Sequence, residues 1–204
     1  EKNKSLNLVY IGLFSPDAIM FNPGRLIVSW VAMERRTFTK DSELMNTLKA
    51  KGVMNNFMVV GLDGVYGAGK TTLAKNLAEK LSSEIIELDK FVARGQGGYV
   101  EYINYSSLKQ AIDGARKQET SVIVDGVCLL KVLRRIDVKL DILIYVKQMR
   151  PDGSWLDEDE LGLLNNKVGR KYSVKLLIHE IKEYHLEYAP IGRANYVFEH
   201  VIQD

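Results

Sequence analysis

Gly64-Val65-Tyr66-Gly67-Ala68-Gly69-Lys70-Thr71 sets two glycines, a lysine and a hydroxyl residue at the spacing G-x-x-x-x-G-K-[ST]. Each type has a chemical reason. Glycine lets the backbone curl so that successive N–H groups point inward at phosphate oxygens. Gly69 leaves room for a phosphate against the main chain. Lys70 neutralises the β- and γ-phosphates, and the Thr71 hydroxyl is a magnesium ligand. A helix beginning at this point aims its positive N-terminal end at the anion. The cradle therefore comprises Gly64, Val65, Tyr66, Gly67, Ala68, Gly69, Lys70, Thr71 and Thr72. So short a pattern recurs by chance. Its context gives it meaning here: an apolar run, Phe57–Leu62, precedes it, and Leu73, Ala74, Leu77, Ala78 and Leu81 follow at helical spacing. The chemistry implied is nucleoside triphosphate binding with Mg²⁺. Asn165-Asn166-Lys167-Val168-Gly169 lacks the aspartate of a guanine-reading motif, which favours ATP.

Three carboxylates stand just after apolar runs: Asp63, Asp89 and Asp125. In a parallel sheet they emerge at the same edge as the phosphate loop, the edge where open α/β sheets bind ligands. Asp89 and Asp125 are read as functional. Asp63 either joins them or serves the backbone as an Asx-turn beside the loop. The segment Arg94-Gly-Gln-Gly-Gly-Tyr-Val-Glu-Tyr-Ile-Asn-Tyr105 is too polar and glycine-rich for a buried element. Tyr99, Tyr102 and Tyr105 offer rings to stack on a base or sugar, or simply pack on the surface. Arg94 is a candidate to hold a phosphate or a carbonyl. The three histidines show no metal-ligand spacing with Cys or carboxylates, so zinc is not expected. Cys128, among apolar neighbours, reads as a small buried hydrophobe.

The elements that must position these residues follow from periodicity. Strands are expected over Phe57–Leu62, Glu84–Leu88, Ser121–Val124, Leu140–Val146 and Tyr196–Ile202. Helices are expected after the loop, from Ser106/Ser107 through Ala115, over Val127–Ile136, and along Val174, Leu177, Ile178, Ile181, Tyr184 or His185, and Tyr188. Continuous apolar strands alternating with helices imply an α/β fold whose mostly parallel, five-stranded sheet is covered on both faces. Residues 1–56 read separately, as an N-terminal accessory segment before a domain over 57–204. The accessory part has apolar runs Leu8–Phe14 and Leu26–Met33 around an Asn-Pro-Gly turn, then a short helix opened by Asp41/Ser42 and ended by Gly52.

Composition bounds the class. The chain has 204 residues, 46% hydrophobic and 26% charged, values ordinary for a globular domain. Its 28 basic and 26 acidic side chains leave +2, so a general electrostatic grip on nucleic acid is not indicated. One cysteine makes no internal disulfide and suits a reducing cytoplasm. No apolar run reaches the roughly 18 residues that a membrane span needs, and no signal peptide is seen.

Val60-Gly61-Leu62-Asp63-Gly64-Val65-Tyr66-Gly67-Ala68-Gly69-Lys70-Thr71-Thr72-Leu73-Ala74 resembles the opening of the uridine kinase-like P-loop nucleoside kinases. Asp89-Lys90-Phe91 is similar to that family's Asp-x-Phe, and Val122-Ile123-Val124-Asp125-Gly126 to its strand ending in an acidic residue and glycine. Asp141–Val146 and the tail from Glu183 to Phe198 also resemble it, so the likeness spans about residues 57–202. It implies a P-loop NTPase three-layer sandwich. It also implies that Asp89 contacts the acceptor hydroxyl and serves as base, that Asp125 orients the metal, and that Arg94–Tyr105 borders the acceptor pocket. The family's arginine-rich lid is replaced here by Lys147–Gly153 and an acidic run, Asp157–Glu160; basic groups return at Lys167, Arg170 and Lys171. Arg170 and Lys171, then Arg150, are the lid candidates, with solvated surface charge the competing reading.

The expected function is transfer of the ATP γ-phosphoryl group to a small-molecule hydroxyl, most naturally a nucleoside. The alternatives are a P-loop kinase for a nucleic-acid end, sugar or other metabolite, or a nucleotide-dependent binding module. The N-terminal segment is the candidate surface for a second copy or a partner protein.

Overall fold

The runs expected to be strands form them, with ends displaced by at most three residues. The computed structural model describes residues 36–93, 98–156 and 172–202, and the side chains of 172–175 are left aside. Strands are β1 (Arg36–Phe38), β2 (Val59–Asp63), β3 (Glu84–Glu87), β4 (Val122–Asp125), β5 (Ile142–Met149) and β6 (Tyr196–Val201). Helices are α1 (Asp41–Ala50), α2 (Lys70–Leu81), α3 (Tyr105–Lys117), α4 (Leu129–Arg135), α5 (Tyr172–Tyr188) and the single turn α6 (Pro190–Arg193). One sheet runs in the order β1-β6-β5-β2-β4-β3, and every pairing in it is parallel. This is the P-loop NTPase α/β fold.

The sheet has six strands rather than the five expected, and the extra one changes the division of the chain. β1 pairs with β6 in register Arg36↔Tyr196, Thr37↔Val197 and Phe38↔Phe198. The compact unit that carries the sheet begins at Arg35, so a boundary after residue 56 falls inside it. Three residues, two of them charged or polar, are too short a run to signal a strand by periodicity. Phe38 alone is buried, edge-on against Tyr196 at 5.7 Å between ring centroids. The runs Leu8–Phe14 and Leu26–Met33 lie outside the described residues.

Burial follows strand position. β2 and β4 are buried along their whole length and β5 over its first five residues, whereas the edge strands β1 and β3 are partly exposed. Right-handed crossovers determine which face each helix covers. The chain moves from β1 to β2 and from β2 to β3 in one direction across the sheet, so α1 and α2 share a face and touch. It returns from β3 to β4 and from β4 to β5 in the other direction, so α3 and α4 cover the opposite face, where α5 packs on α4. Leu44 and Leu48 of α1 and Leu73, Ala74, Leu77 and Leu81 of α2 fill one layer; Leu108, Ile112, Leu129, Val132 and Leu133 fill the other.

Two helix starts differ from expectation. Lys40, not Asp41 or Ser42, is the N-cap of α1, and Asp41 instead accepts a hydrogen bond from Asn76 Nδ2 at 2.8 Å, tying α1 to α2. Asn104, not a serine, caps α3: its side-chain oxygen accepts from the Ser107 N–H at 3.0 Å. At the N-terminal edge of the sheet, side chains replace missing ladder partners. Asp141 Oδ2 accepts from Val59 N at 2.7 Å and Asn195 Oδ1 from Leu143 N at 2.7 Å. Ser121 Oγ accepts from Met58 N at 3.0 Å and lies 2.6 Å from both Val53 O and Asn56 O. The Asp141 and Ser121 bonds tie down the start of β2, and β2 carries the phosphate loop.

Candidate active site

The loop between β2 and α2 adopts the strained turns its glycines allow. Gly64 has φ +151°, and a Cβ there would lie 2.5 Å from Val146 O of β5, so only glycine fits against that strand. Gly69, the N-cap of α2, is left-handed at φ +89°. Lys70 is buried, and its Nζ donates to Val65 O at 2.6 Å, so the ammonium lies folded over the loop. Tyr66 of the cradle is exposed, at 70%. Thr72, exposed, and Thr71, half-buried, begin the helix.

The Thr71 hydroxyl donates to Asp125 Oδ2 at 2.6 Å, and the other carboxylate oxygen, Oδ1, is buried with no hydrogen-bond partner among the described residues. Burial pushes the Asp125 pKa up, the Thr71 hydroxyl and Lys70 oppose it, and the nearby carboxylates Glu87 and Asp89 add to the rise. Buried anionic oxygen with an open valence is an unfavourable arrangement unless a cation completes it. A hydroxyl and a carboxylate beside a phosphate cradle suit Mg²⁺, which takes one or two protein oxygens and fills the rest of its octahedron with phosphate and water. The site fits the ion. Among the described residues no cluster of three or more His, Cys, Asp or Glu could hold a metal unaided.

Asp63 does not face a ligand. It is fully buried, its Oδ1 accepts from Gly64 N at 2.8 Å, and its Oδ2 accepts from the Tyr184 hydroxyl. Of the two readings offered by the sequence, the turn at the base of the loop is the one observed. Burial raises its pKa to about 6, against the lowering effect of Tyr184, Gly64 N–H and Lys70. Tyr184 also accepts from Leu130 N at 3.2 Å, so one phenol joins α5, the start of α4 and the phosphate loop.

Asp89 follows β3, exposed in a 3₁₀ turn over Leu88–Phe91 at the loop's edge of the sheet. The strand's own last residue, Glu87, is level with Asp125 in the ladder and pairs with Lys90 at 2.8 Å. Beyond Asp89 the chain leaves and returns through a narrow neck: Val92 bridges Ile103, Ala93 N donates to Tyr102 O at 2.9 Å, and Asn104 N donates to Phe91 O at 2.8 Å.

Tyr99 departs from its expected stacking role. Its ring is 6% exposed, and its hydroxyl donates to Asp89 Oδ1 at 2.7 Å. Burial first, and the Asp89 charge second, push its pKa up, so the phenol stays a donor. Tyr102 remains exposed beside the neck. Tyr105 donates to Val100 O at 2.6 Å and carries the Arg135 guanidinium over its ring at 5.4 Å, so it too serves the loop's own packing. Arg94, Arg170 and Lys171 lie outside the described residues. Arg150 is turned to its own loop, donating to Ser154 Oγ at 3.1 Å.

Several contributors carry no sequence signal. Glu180 of α5 accepts from Tyr99 N at 2.9 Å and Val100 N at 3.0 Å. His185 Nδ1 lies 2.7 Å from Ile181 O and Nε2 lies 2.8 Å from the Tyr145 hydroxyl, which places the neutral ring's proton on Nδ1. Burial holds the His185 pKa down, in keeping with that neutral form. Apolar spacing identifies α5 as a helix but says nothing of which polar groups meet it. Cys128 is buried at the left-handed N-cap of α4, and burial raises its thiol pKa, so it is no nucleophile.

No family model matches the sequence, and no curated protein matches it. Among solved structures, it is similar to "a Possible Uridine Kinase" from Bacillus stearothermophilus, at 16% identity over 78% of this chain and 100% of that one, with a TM-score of 0.46. It is also similar to a shikimate kinase from Bacteroides thetaiotaomicron, at 22% identity over 70% of this chain and 86% of that one, with a TM-score of 0.38. A shikimate kinase from Acinetobacter baumannii, in complex with shikimate, matches at 17% identity over 76% and 88% of the two chains, with a TM-score of 0.38. Likeness this distant carries no argument about activity; strand order and the phosphate loop carry the fold.

Proposed function

We propose that this protein is an ATP-dependent phosphotransferase that moves the γ-phosphoryl group to a hydroxyl of a small molecule, a nucleoside first among them. The observation that carries the reading is the Thr71–Asp125 hydrogen bond, with the unpartnered Asp125 Oδ1 beside the Lys70 cradle. A bare anion-binding loop needs no such oxygen; a metal–triphosphate site does. The loop N–H groups would hold the phosphates and Lys70 would leave Val65 O to reach the β/γ oxygens. Mg²⁺ held by Thr71 and Asp125 would neutralise charge on the phosphates. Asp89, exposed at the same edge with Oδ1 engaged by Tyr99, keeps Oδ2 for the acceptor hydroxyl and takes its proton as the phosphoryl group departs from ADP. Catalysis by these groups is positioning and charge stabilisation.

The test is an acceptor screen. The full chain, [γ-³²P]ATP and Mg²⁺ are incubated with pooled nucleosides, then hexoses, then hydroxy acids. Label on a nucleoside supports the reading. Label only on a hexose or hydroxy acid keeps the kinase and discards the nucleoside. Release of free phosphate alone, with no labelled organic product, overturns transfer and favours a nucleotide-dependent binding module.

A further inference from the structure

We infer that Tyr99 and Glu180 are positioning residues for Asp89, forming a relay from α5 through the acceptor loop to the proposed base; the inference rests on the phosphotransferase reading.

An exposed carboxylate in a turn is free to rotate and presents two equivalent oxygens to solvent. Asp89 does not have that freedom. The Tyr99 hydroxyl fixes Oδ1 at 2.7 Å, leaving Oδ2 directed by geometry rather than by chance. A donor can fix a carboxylate only if it is itself fixed, and Tyr99 is. Its ring is buried at 6% exposure, and its backbone N–H is held by Glu180 Oε2 at 2.9 Å. The second Glu180 oxygen takes the next N–H, that of Val100, at 3.0 Å. One carboxylate on two successive amides clamps the chain direction at the point where the phenol leaves it. Tyr105 closes the same turn by donating to Val100 O at 2.6 Å.

The clamp comes from a helix, not from the loop. Glu180 lies one turn before Tyr184, the residue that bonds Asp63 at the base of the phosphate loop. One face of α5 therefore holds both the phosphate cradle and the proposed base, so their separation is set by a rigid element rather than by the polar segment between them. In-line transfer needs the acceptor oxygen and γ-phosphorus at a fixed distance, and misplacement by about 1 Å can cost about 100-fold in rate. The Glu180 carboxylate meets no lysine or arginine in the described hydrogen bonds and ion pairs. Its two bonds to main-chain N–H groups give it a use that surface charge does not.

The test measures wild-type, Tyr99→Phe, Glu180→Gln, Asp89→Asn and the Tyr99→Phe/Asp89→Asn double variant, with [γ-³²P]ATP and the nucleoside, hexose and hydroxy-acid pools. ATP·Mg affinity is measured in parallel with a fluorescent ATP analogue. Tyr99→Phe keeps the buried ring and removes only the donor; Glu180→Gln keeps the shape and can accept only one of the two N–H groups. Transfer kcat should fall by about 10- to 100-fold in Tyr99→Phe and by less in Glu180→Gln, with nucleotide affinity unchanged in both. Because Tyr99 acts through Asp89, its substitution should add nothing in the Asp89→Asn background.

Wild-type kcat in Tyr99→Phe overturns the inference, as does a loss confined to ATP affinity or a full multiplicative loss in the double variant. Where Asp89→Asn abolishes transfer and Tyr99→Phe is silent, the inference alone fails. Where Asp89→Asn transfers normally, or wild-type labels no pooled acceptor, the function reading fails and the relay falls with it.

Discussion

The phosphate side and the acceptor side of this site are built in opposite ways. On the phosphate side, the cradle is main chain from nine consecutive residues, and short-range bonds help to shape it: Gly64 N to Asp63, and Lys70 to Val65 O. Asp125, which accepts from the Thr71 hydroxyl, comes from the strand paired directly with β2. On the acceptor side, Asp89 is held by a tyrosine ten residues away, which is held in turn by a glutamate 81 residues further along the chain. A cradle made of backbone tolerates almost any side chain at its variable positions, as exposed Tyr66 illustrates. A loop held by side chains depends on each of them. On the proposed function, phosphate binding is therefore expected to be the sturdier of the two and acceptor positioning the more easily tuned.

Four perturbations test that contrast, in order of expected size. Lys70→Ala should lower phosphoryl transfer by about 10²- to 10³-fold or more, since it removes a preorganised charge on the transferring group, and far-UV circular dichroism should stay native. Full transfer by this variant would remove the phosphate side from the comparison altogether. Asp125→Asn should reduce the gain in ATP affinity on adding Mg²⁺ by about tenfold or more, with metal-free binding little changed, as read by titration calorimetry with and without EDTA. An equal loss in both conditions would assign Asp125 to the fold instead of the ion.

Asp63, where the two regions meet, gives a pH test. Its folded pKa is raised from 3.8 to about 6, so the folded chain holds the proton more tightly than the unfolded chain. The stabilising contribution is full below about pH 3.8 and is lost as pH rises through about 6. Asparagine does not titrate. The stability difference between wild-type and Asp63→Asn should therefore move against wild-type by about 2 kcal/mol between pH 4 and pH 7, measured by urea unfolding. A difference independent of pH would mean that Asp63 stays charged and that Tyr184 and Lys70 outweigh burial. Least affected should be Cys128. Buried and with its pKa raised, it should label with a thiol reagent only as fast as the chain unfolds. Rapid labelling of native protein would show that the α4–α5 contact opens.

The same contrast explains what could be read in advance. The phosphate loop, α2 and the apolar strands were legible because short-range pattern encodes them: a glycine spacing sets backbone angles, and periods of two and 3.6 set which face is buried. Asp125 was legible as a strand-end carboxylate. β1 was not, because an edge strand of three residues with one buried side chain has no period to detect. Tyr99 was found as a residue of interest with two readings, a stacking ring or simple packing, and neither foresaw its bond to Asp89. Its type fits both a stacking ring and a buried donor, and only its burial decides between them.

The sequence by itself determined the phosphate-type loop and its place between a buried strand and a helix, since a contiguous motif carries its own geometry. The tertiary structure alone decided which carboxylates are closed off within the protein and which keep an oxygen open. Asp63 and Asp125 both end central strands, yet Asp63 is closed off by Tyr184, while Asp125 keeps an oxygen without a partner. That outcome depends on where α5 packs. The packing is set by burial of apolar surface over the whole chain, which is non-directional, and so the polar partners it brings together leave no local trace.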